Sequence, residues 1–481
     1  MSIELKTDLA QYIQEECGEN VYLCYQCKKC TAGCPMAEHF DLTPNQLLRA
    51  AQFGQKDLIL NSKTIWLCAI CETCATRCPQ DINITAIMDV FRIMAQREGI
   101  KPKVPDVPDF YEAMLRGINL FGRMYELGLM GELYIRQFLR GDLDFKQLFG
   151  EDMGMALKMF RDGKLNPIPS LGIRGKPKEG PVSPAVTDPK AIAYYPGCSL
   201  HGTSKEYHMS TLAVAKALGW TFQEPKDWCC CGSTPAHSTD HVYATVLPMR
   251  TLAQMEREGH SYMTFPCPSC FQRFRAAIQN VAEDEELARE VRAQTGYLPS
   301  RGLKMDLLLT TITERVGYEA VAEKVTKSLE DLKVVCYYGC ALTRPPRLTK
   351  VEDYEYPTNM DRLVETLGAE SLDWSYKTEC CGVSLGISQL PIALGMSRKV
   401  LHDAKAVGAE AVIVACPLCQ VNLDSRQRQI EKEYEETFDL PIIYFTQLMG
   451  LAFGLDAKTL GLDKHFVDPV KFLEEKGLLS T

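Results

Sequence analysis

All but three of the chain's 21 cysteines fall into two patterns, and each pattern occurs twice. The first half carries CYQCKKCTAGCP (24–35) and CAICETCATRCP (68–79), both of the form C-x2-C-x2-C-x3-C-P. The second half carries Cys198, then Cys230-Cys231-Gly232, then Cys267 and Cys270. It repeats this order as Cys340, Cys380-Cys381-Gly382, Cys416 and Cys419. An odd total of cysteines fits a disulfide framework poorly. At 481 residues and 46% hydrophobic, the chain buries a sizeable core without covalent staples. The thiols are therefore expected to serve as metal ligands, as clustered cysteines do in a reducing compartment.

The net charge of −9 argues against nucleic acid, whose phosphates need a basic patch. No stretch has the apolar length of a membrane span. The opening MSIELKTDLAQYIQEEC is acidic and amphipathic, unlike a signal peptide. A cytoplasmic protein is expected, with any transfer of electrons to a membrane left to a partner.

Leu5, Leu9 and Ile13 recur at four-residue spacing and predict an opening helix. Ala86, Val90, Ile93 and Met94 mark another, closed by Gly99. The prolines of 101–109 are expected to break helix, each in turn. Residues 110–163 read as helices rich in Leu, Met and Phe. Their methionines, without any histidine nearby, suit core filling better than haem ligation. The Pro- and Gly-rich stretch 166–190 reads as a linker. Beyond it, AIAYYPGCSLHGTS (191–204) matches KVVCYYGCALTRPP (333–346), DWCCCGS (227–233) matches TECCGVS (378–384), and YMTFPCPSCFQ (262–272) matches VIVACPLCQVN (412–422). Each copy reads strand, cysteine loop, helix, strand, double cysteine, helix, strand, paired cysteines. A helical stretch near 280–330 joins the copies. The expected fold is α+β: a mainly helical ferredoxin-like two-cluster domain (1–165), the linker, and two related α/β lobes with cysteine-rich loops (191–332 and 333–481).

The C-x2-C-x2-C-x3-C-P spacing resembles that of bacterial two-cluster ferredoxins, in which the fourth cysteine serves the other cluster. On this resemblance Cys24, Cys27, Cys30 and Cys78 hold one cubane [4Fe-4S] cluster, and Cys68, Cys71, Cys74 and Cys34 hold the second. The competing assignment is structural zinc on thiolates. In the second half, five cysteines per copy exceed the four ligands of a zinc or cubane site. Adjacent cysteines bridge neighbouring irons more readily than they wrap one metal, and the following glycine lets backbone approach a bulky core.

This second pattern resembles the CCG motif of heterodisulfide reductases. The front half is similar to the two-cluster C component of that family, and residues 191–481 to its catalytic B component. The resemblance implies two non-cubane [4Fe-4S] clusters, one on Cys198, Cys230, Cys231, Cys267 and Cys270, the other on Cys340, Cys380, Cys381, Cys416 and Cys419. It implies reductive cleavage of a disulfide such as CoM-S-S-CoB. It also implies partners: a flavin- and iron–sulfur-containing protein like the family's A component, with hydrogenase or formate dehydrogenase behind it, in a hetero-oligomer. Cys17, Cys229 and Cys336 are left over; Glu379 stands where Cys229 does in the first copy, which marks Cys229 as the spare of its triplet. Disulfide reduction takes two electrons whereas cubane clusters pass one at a time, so a pair of clusters facing one bond suits the chemistry. Two protons must also arrive. His201, three residues after Cys198, and His237, five after Gly232, are the candidate catalytic proton donors; the alternative is a pair of ordinary surface or core histidines. Lys205, Arg250, Arg273, Arg344 and Arg347 are candidates for holding an anionic substrate. Two other functions stay open: an iron–sulfur conduit of a flavin dehydrogenase or benzoyl-coenzyme A reductase complex without disulfide chemistry, and a zinc-built interaction protein.

Overall fold

The computed structural model describes residues 8–145, 148–177, 182–299 and 302–479. The first helix, Asp8–Cys17, buries Leu9 and Ile13 as their spacing predicts; Leu5 lies outside the described residues. Helix Pro44–Gln52 starts with proline at its first position, where no amide partner is lost, and Thr43 and Gln46 form a capping box. Helix Ile84–Arg97 turns Val90, Ile93 and Met94 inward and is followed by Gly99 at φ +66°. Two short helical turns, Lys29–Ala32 around Cys30 and Thr73–Thr76 around Cys74, pack against each other between these helices.

One expectation fails here. Helix Asp106–Phe121 contains Pro108. A proline in the first helical turn removes an N–H that has no intrahelical partner, so the helix continues through it. Gly122, in the left-handed region at φ +77°, ends this helix, and Glu126–Arg140 runs back along it as a hairpin. The described residues of 166–190 hold neither helix nor strand but are tied down. Gly172 N–H donates to Phe121 O, Ser183 N–H to Arg257 O and Val186 N–H to Gly259 O.

The second half forms two four-stranded parallel sheets of identical order. In the first lobe β1 (Ala191–Tyr194), β2 (Thr221–Gln223), β3 (Tyr262–Phe265) and β4 (Lys304–Leu307) run β2-β1-β3-β4. In the second lobe β5 (Lys333–Tyr337), β6 (Glu370–Ser371), β7 (Ala411–Val414) and β8 (Ile442–Tyr444) run β6-β5-β7-β8. The β3, β5 and β7 runs are buried along nearly their whole length, as parallel strands covered by helices must be. The repeat predicts three strands per lobe; the fourth is an addition. Strand β4 (KMDL) is a short edge with alternating polarity, and it interrupts the stretch expected to be helical between the lobes. The lobes share one apolar core. Across their junction the rings of Tyr207 and Tyr444 stack at 4.0 Å, Tyr207 OH donates to Ala415 O, and Ser204 Oγ donates to Pro417 O. No helix among the described residues is long and apolar enough to cross a membrane.

Candidate metal centres

In each lobe the chain leaves the central strand pair in opposite directions, and a cleft opens at the carboxyl ends where it does so. All five cysteines of the lobe gather there. Cys198 follows β1, Cys230 and Cys231 lie in the loop after β2, Cys267 follows β3, and Cys270 sits on the first turn of helix Pro268–Glu283. The second lobe repeats this with Cys340 after β5, Cys380 and Cys381 after β6, Cys416 after β7, and Cys419 on helix Pro417–Ser425.

The two copies agree in detail. Gly197 and Gly339 take φ +67° and +65°, and a Cβ on either would stand 3.1 Å from Cys270 Sγ or 3.2 Å from Cys419 Sγ. Cys231 Sγ lies 3.3 Å from Cys270 Sγ, and Cys381 Sγ lies 3.7 Å from Cys419 Sγ. Hydrogen bonds from Cys230 and Cys270 hold the Cys231 thiol well below its ordinary pKa, and Cys419 lowers Cys381 in the same way. Tyr195 OH donates to Cys229 O at 2.7 Å, and Tyr337 OH donates to Glu379 O at 2.7 Å. Each tyrosine thus anchors the backbone just before the cysteine pair. Sequence reasoning missed these two residues, although the repeat carried the signal: each stands three positions before the first cysteine of its copy.

The lids over the two clefts differ. The first is covered by the helical hairpin: Met124 N–H donates to Cys198 Sγ at 3.4 Å and Cys230 N–H to Gly122 O at 2.9 Å. The second abuts the N-terminal cysteine loops. Arg344, fully buried, donates to Thr73 Oγ1, Thr378 O and Glu355 Oε2, and Ser384 Oγ donates to Ala69 O. Arg344 is therefore a tie between the halves and is not free for an anion. Lys205, Arg250, Arg273 and Arg347 form no ion pair among the described residues.

In the N-terminal half Cys34, Cys68, Cys71 and Cys74 line one cavity together with Met36 and Phe40. Burial pushes the Cys30 thiol up, and the nearby Cys24, Cys27 and Cys78 push it further. Burial pushes Cys71 up to about 12, and its next neighbour in charge is Cys340 of the second cleft. Cys380, Cys340 and the N-terminal cysteines other than Cys27 belong to a single apolar cluster. Gln26 and Lys28 in one loop, and Ile70 and Glu72 in the other, all take positive φ at equivalent positions. Such conformations cost non-glycine residues, the β-branched Ile70 most of all, and they curl each loop so that its sulfurs turn inward. These features fit an iron–sulfur core better than zinc. Among the described residues no three cysteine sulfurs lie within 4.8 Å of one another, whereas zinc bonds of about 2.3 Å draw four thiolates to about 3.8 Å apart.

The spare cysteines face away from the clefts. Cys229 is buried, donates to Leu247 O at 3.0 Å, and is pushed up to about 12 by burial. Cys17 donates to Ile13 O, and Cys336 is buried inside β5. The two histidines are not brought together. His201 Nε2 pairs with Glu224 Oε2 at 3.1 Å, while His237 Nδ1 meets Asp89 Oδ2 on helix Ile84–Arg97 at 2.6 Å. Among the described residues neither ring is hydrogen-bonded to a cysteine sulfur.

Residues 23–83 match the model of the 4Fe-4S dicluster domain, and residues 192–275 and 334–424 match that of the cysteine-rich CCG domain. The chain is 30% identical over 285 residues to the 8-methylmenaquinol:fumarate reductase membrane anchor subunit of Wolinella succinogenes, covering 59% of this chain and 99% of that one. It is 28% identical over 250 residues to the B component of the ferredoxin:CoB-CoM heterodisulfide reductase of Methanosarcina mazei, 51% of this chain and 83% of that one. It is also 36% identical over 85 residues to the second iron–sulfur C component of the CoB–CoM heterodisulfide reductase of Methanocaldococcus jannaschii, 18% of this chain and 45% of that one.

The chain belongs to the heterodisulfide reductase family.

Within that family it fuses a front half like the C component to a back half like the B component. A heterodisulfide reductase relative built this way carries iron–sulfur clusters, transfers electrons as an oxidoreductase, and works alongside other proteins of a complex.

Proposed function

We propose that this chain is the electron-transferring, disulfide-reducing member of a heterodisulfide reductase-like complex. Cys24, Cys27, Cys30 and Cys78 hold one cubane [4Fe-4S] cluster and Cys68, Cys71, Cys74 and Cys34 the next. Cys198, Cys230, Cys231, Cys267 and Cys270 hold one non-cubane cluster, and Cys340, Cys380, Cys381, Cys416 and Cys419 the other. When bound, these clusters supply one-electron transfer and, at the five-thiolate sites, iron able to accept a substrate sulfur. The observation that carries the reading is that Cys71 and Cys340 belong to one apolar cluster, with Cys340 near enough to raise the Cys71 pKa, which joins the ferredoxin-like half to a CCG cleft. Cys27 is exposed, so the opposite end of that path faces the surface where a flavin- and iron–sulfur-bearing partner, with hydrogenase or formate dehydrogenase behind it, delivers electrons.

Of the two histidines, His237 is the better placed proton source. Asp89 fixes its Nδ1 and leaves Nε2 for transfer, the arrangement that orients a histidine acid–base. Burial, and then Arg273, hold its pKa below the ordinary value, so a proton once acquired is readily released.

The test is anaerobic purification with bound partners, followed by turnover with candidate disulfides. Thiol release from the CoM–CoB heterodisulfide supports the proposal. A second reading, a conduit without disulfide chemistry, draws support from the Wolinella relative, whose name ties it to quinol and fumarate. Reduction of the clusters with no thiol product from any disulfide favours it.

A further inference from the structure

Away from the cysteine clefts, another set of donors converges. The ligand atoms of His201, His208 and Glu224 lie within 4.8 Å of one another, and among the described residues no other trio of His, Cys, Asp or Glu does so. Two of the three are oriented by a neighbour outside the set. Trp228 Nε1 donates to Glu224 Oε1 at 2.6 Å, which leaves Oε2 turned to His201 Nε2. His208 Nδ1 lies 3.2 Å from Tyr194 OH, which leaves its Nε2 for a ligand. Trp228 is itself clamped, with the Arg123 guanidinium 3.7 Å over its ring and Tyr195 edge-on at 5.3 Å. A ring nitrogen or carboxylate oxygen held in this way is the usual outer support of a metal ligand.

We infer that His201, His208 and Glu224 bind a divalent transition metal, with zinc the ion that best suits two imidazoles and one carboxylate. The His201 and Glu224 side chains are 29% and 30% exposed, so water completes the fourth position. Burial pushes His208 down to about 4, and its imidazole is neutral, hence ligating, at physiological pH.

The site explains an asymmetry between the lobes. His201 ends the short helix that begins beside Cys198, and Glu224 and Trp228 precede the Cys230–Cys231 pair. A metal there clips together two of the three segments that carry the first lobe's cysteines, those of Cys198 and of the Cys230–Cys231 pair. Counted from the matched cysteines, the positions of His201 and Glu224 in the second lobe hold Thr343 and Trp374, so that lobe has no such set. There the same two segments are joined by Arg344, which donates to both Thr378 O and Thr378 Oγ1. The first lobe has Gly202 at the position of Arg344 and no side chain to do this. The metal takes the place of the arginine.

The test uses the full-length, cluster-replete chain purified anaerobically, treated with EDTA, and then equilibrated with zinc chloride. Zinc and iron are measured by mass spectrometry and the zinc environment by K-edge absorption spectroscopy. The expected result is one bound zinc with only nitrogen and oxygen neighbours. Glu224→Gln and His208→Gln are expected to weaken zinc binding by more than about tenfold with iron content unchanged. Failure to retain zinc at micromolar free metal, sulfur in its coordination shell, or undiminished binding by both variants overturns the inference. Should a variant lose iron through misfolding, the wild-type coordination shell still decides.

Discussion

Asp89 joins the ferredoxin-like half to the first lobe, and replacing it by asparagine tests that junction. Its carboxylate meets His237 Nδ1 at 2.6 Å, Ser238 Oγ at 2.7 Å and Arg92 Nη1 at 2.9 Å. Burial works against its ionisation, yet His237, Arg92 and Ser238 hold the pKa at about 2, against an ordinary 3.8. At about 1.4 kcal/mol per pKa unit, the difference is worth about 2.5 kcal/mol. Because the folded-state pKa is depressed, this stabilisation is fully present above the unfolded value and fades only as pH falls through about 2. Asp89→Asn keeps the shape and removes the charge, so it forfeits the share supplied by Arg92 and Ser238 at pH 7 and the whole amount once His237 is protonated. Amide hydrogen exchange on the anaerobic holoprotein reads the loss where it occurs. Amides of 236–240 and of helix Ile84–Arg97 are expected to exchange faster by up to about 60-fold, the factor that about 2.5 kcal/mol represents. The ratio is expected to be larger at pH 6 than at pH 8, since the carboxylate is ionised throughout while His237, with its lowered pKa, loses its charge as pH rises. Unchanged protection in the variant, or a ratio that climbs between those two pH values, refutes the reasoning.

Further predictions concern the clefts. Tyr195→Phe and Tyr337→Phe each leave a carbonyl without its hydroxyl donor and are expected to cost about 1–3 kcal/mol apiece, nearly alike in the two lobes, as measured by the denaturant midpoint of cluster loss. Cys229→Ala keeps the iron content of the wild type, whereas Cys230→Ala lowers it; equal loss in both reassigns the triplet by elemental analysis. If His237 is the proton source, its lowered pKa makes thiol release fall as pH rises, with a midpoint below the ordinary histidine value, and His237→Gln flattens that profile.

Much of the fold was legible because cysteine spacing and the internal repeat are local patterns. The repeat locates β1, β3, β5 and β7, since a buried parallel strand is a short continuous apolar run. It passes over β4 and β8, which are three or four residues long and take their pairing from a neighbour distant in sequence. Pro108 looks like a helix breaker in a run of prolines, because the run does not show which one falls in a first turn. Residue types nominate Arg344 for an anion and His201 for a proton, but they do not show what surrounds either, and for Arg344 the surroundings decide otherwise. Arg344 is held by Thr73, Glu355 and Thr378, and His201 by Glu224, residues up to 271 positions away that no local pattern links. Tyr195 and Tyr337 lie in plain view within the matched segments, and only the carbonyls they reach reveal their role.

The central claim is that each rear cleft holds an iron–sulfur core on five thiolates. Diffraction from anaerobically grown crystals, with anomalous data collected on both sides of the iron edge, tests it most directly. The account predicts iron signal in the cleft of Cys198, Cys230, Cys231, Cys267 and Cys270 and in that of Cys340, Cys380, Cys381, Cys416 and Cys419, with all five sulfurs of each cleft bonded to iron. A lone zinc in either cleft, or a cubane on four of the five sulfurs, contradicts it.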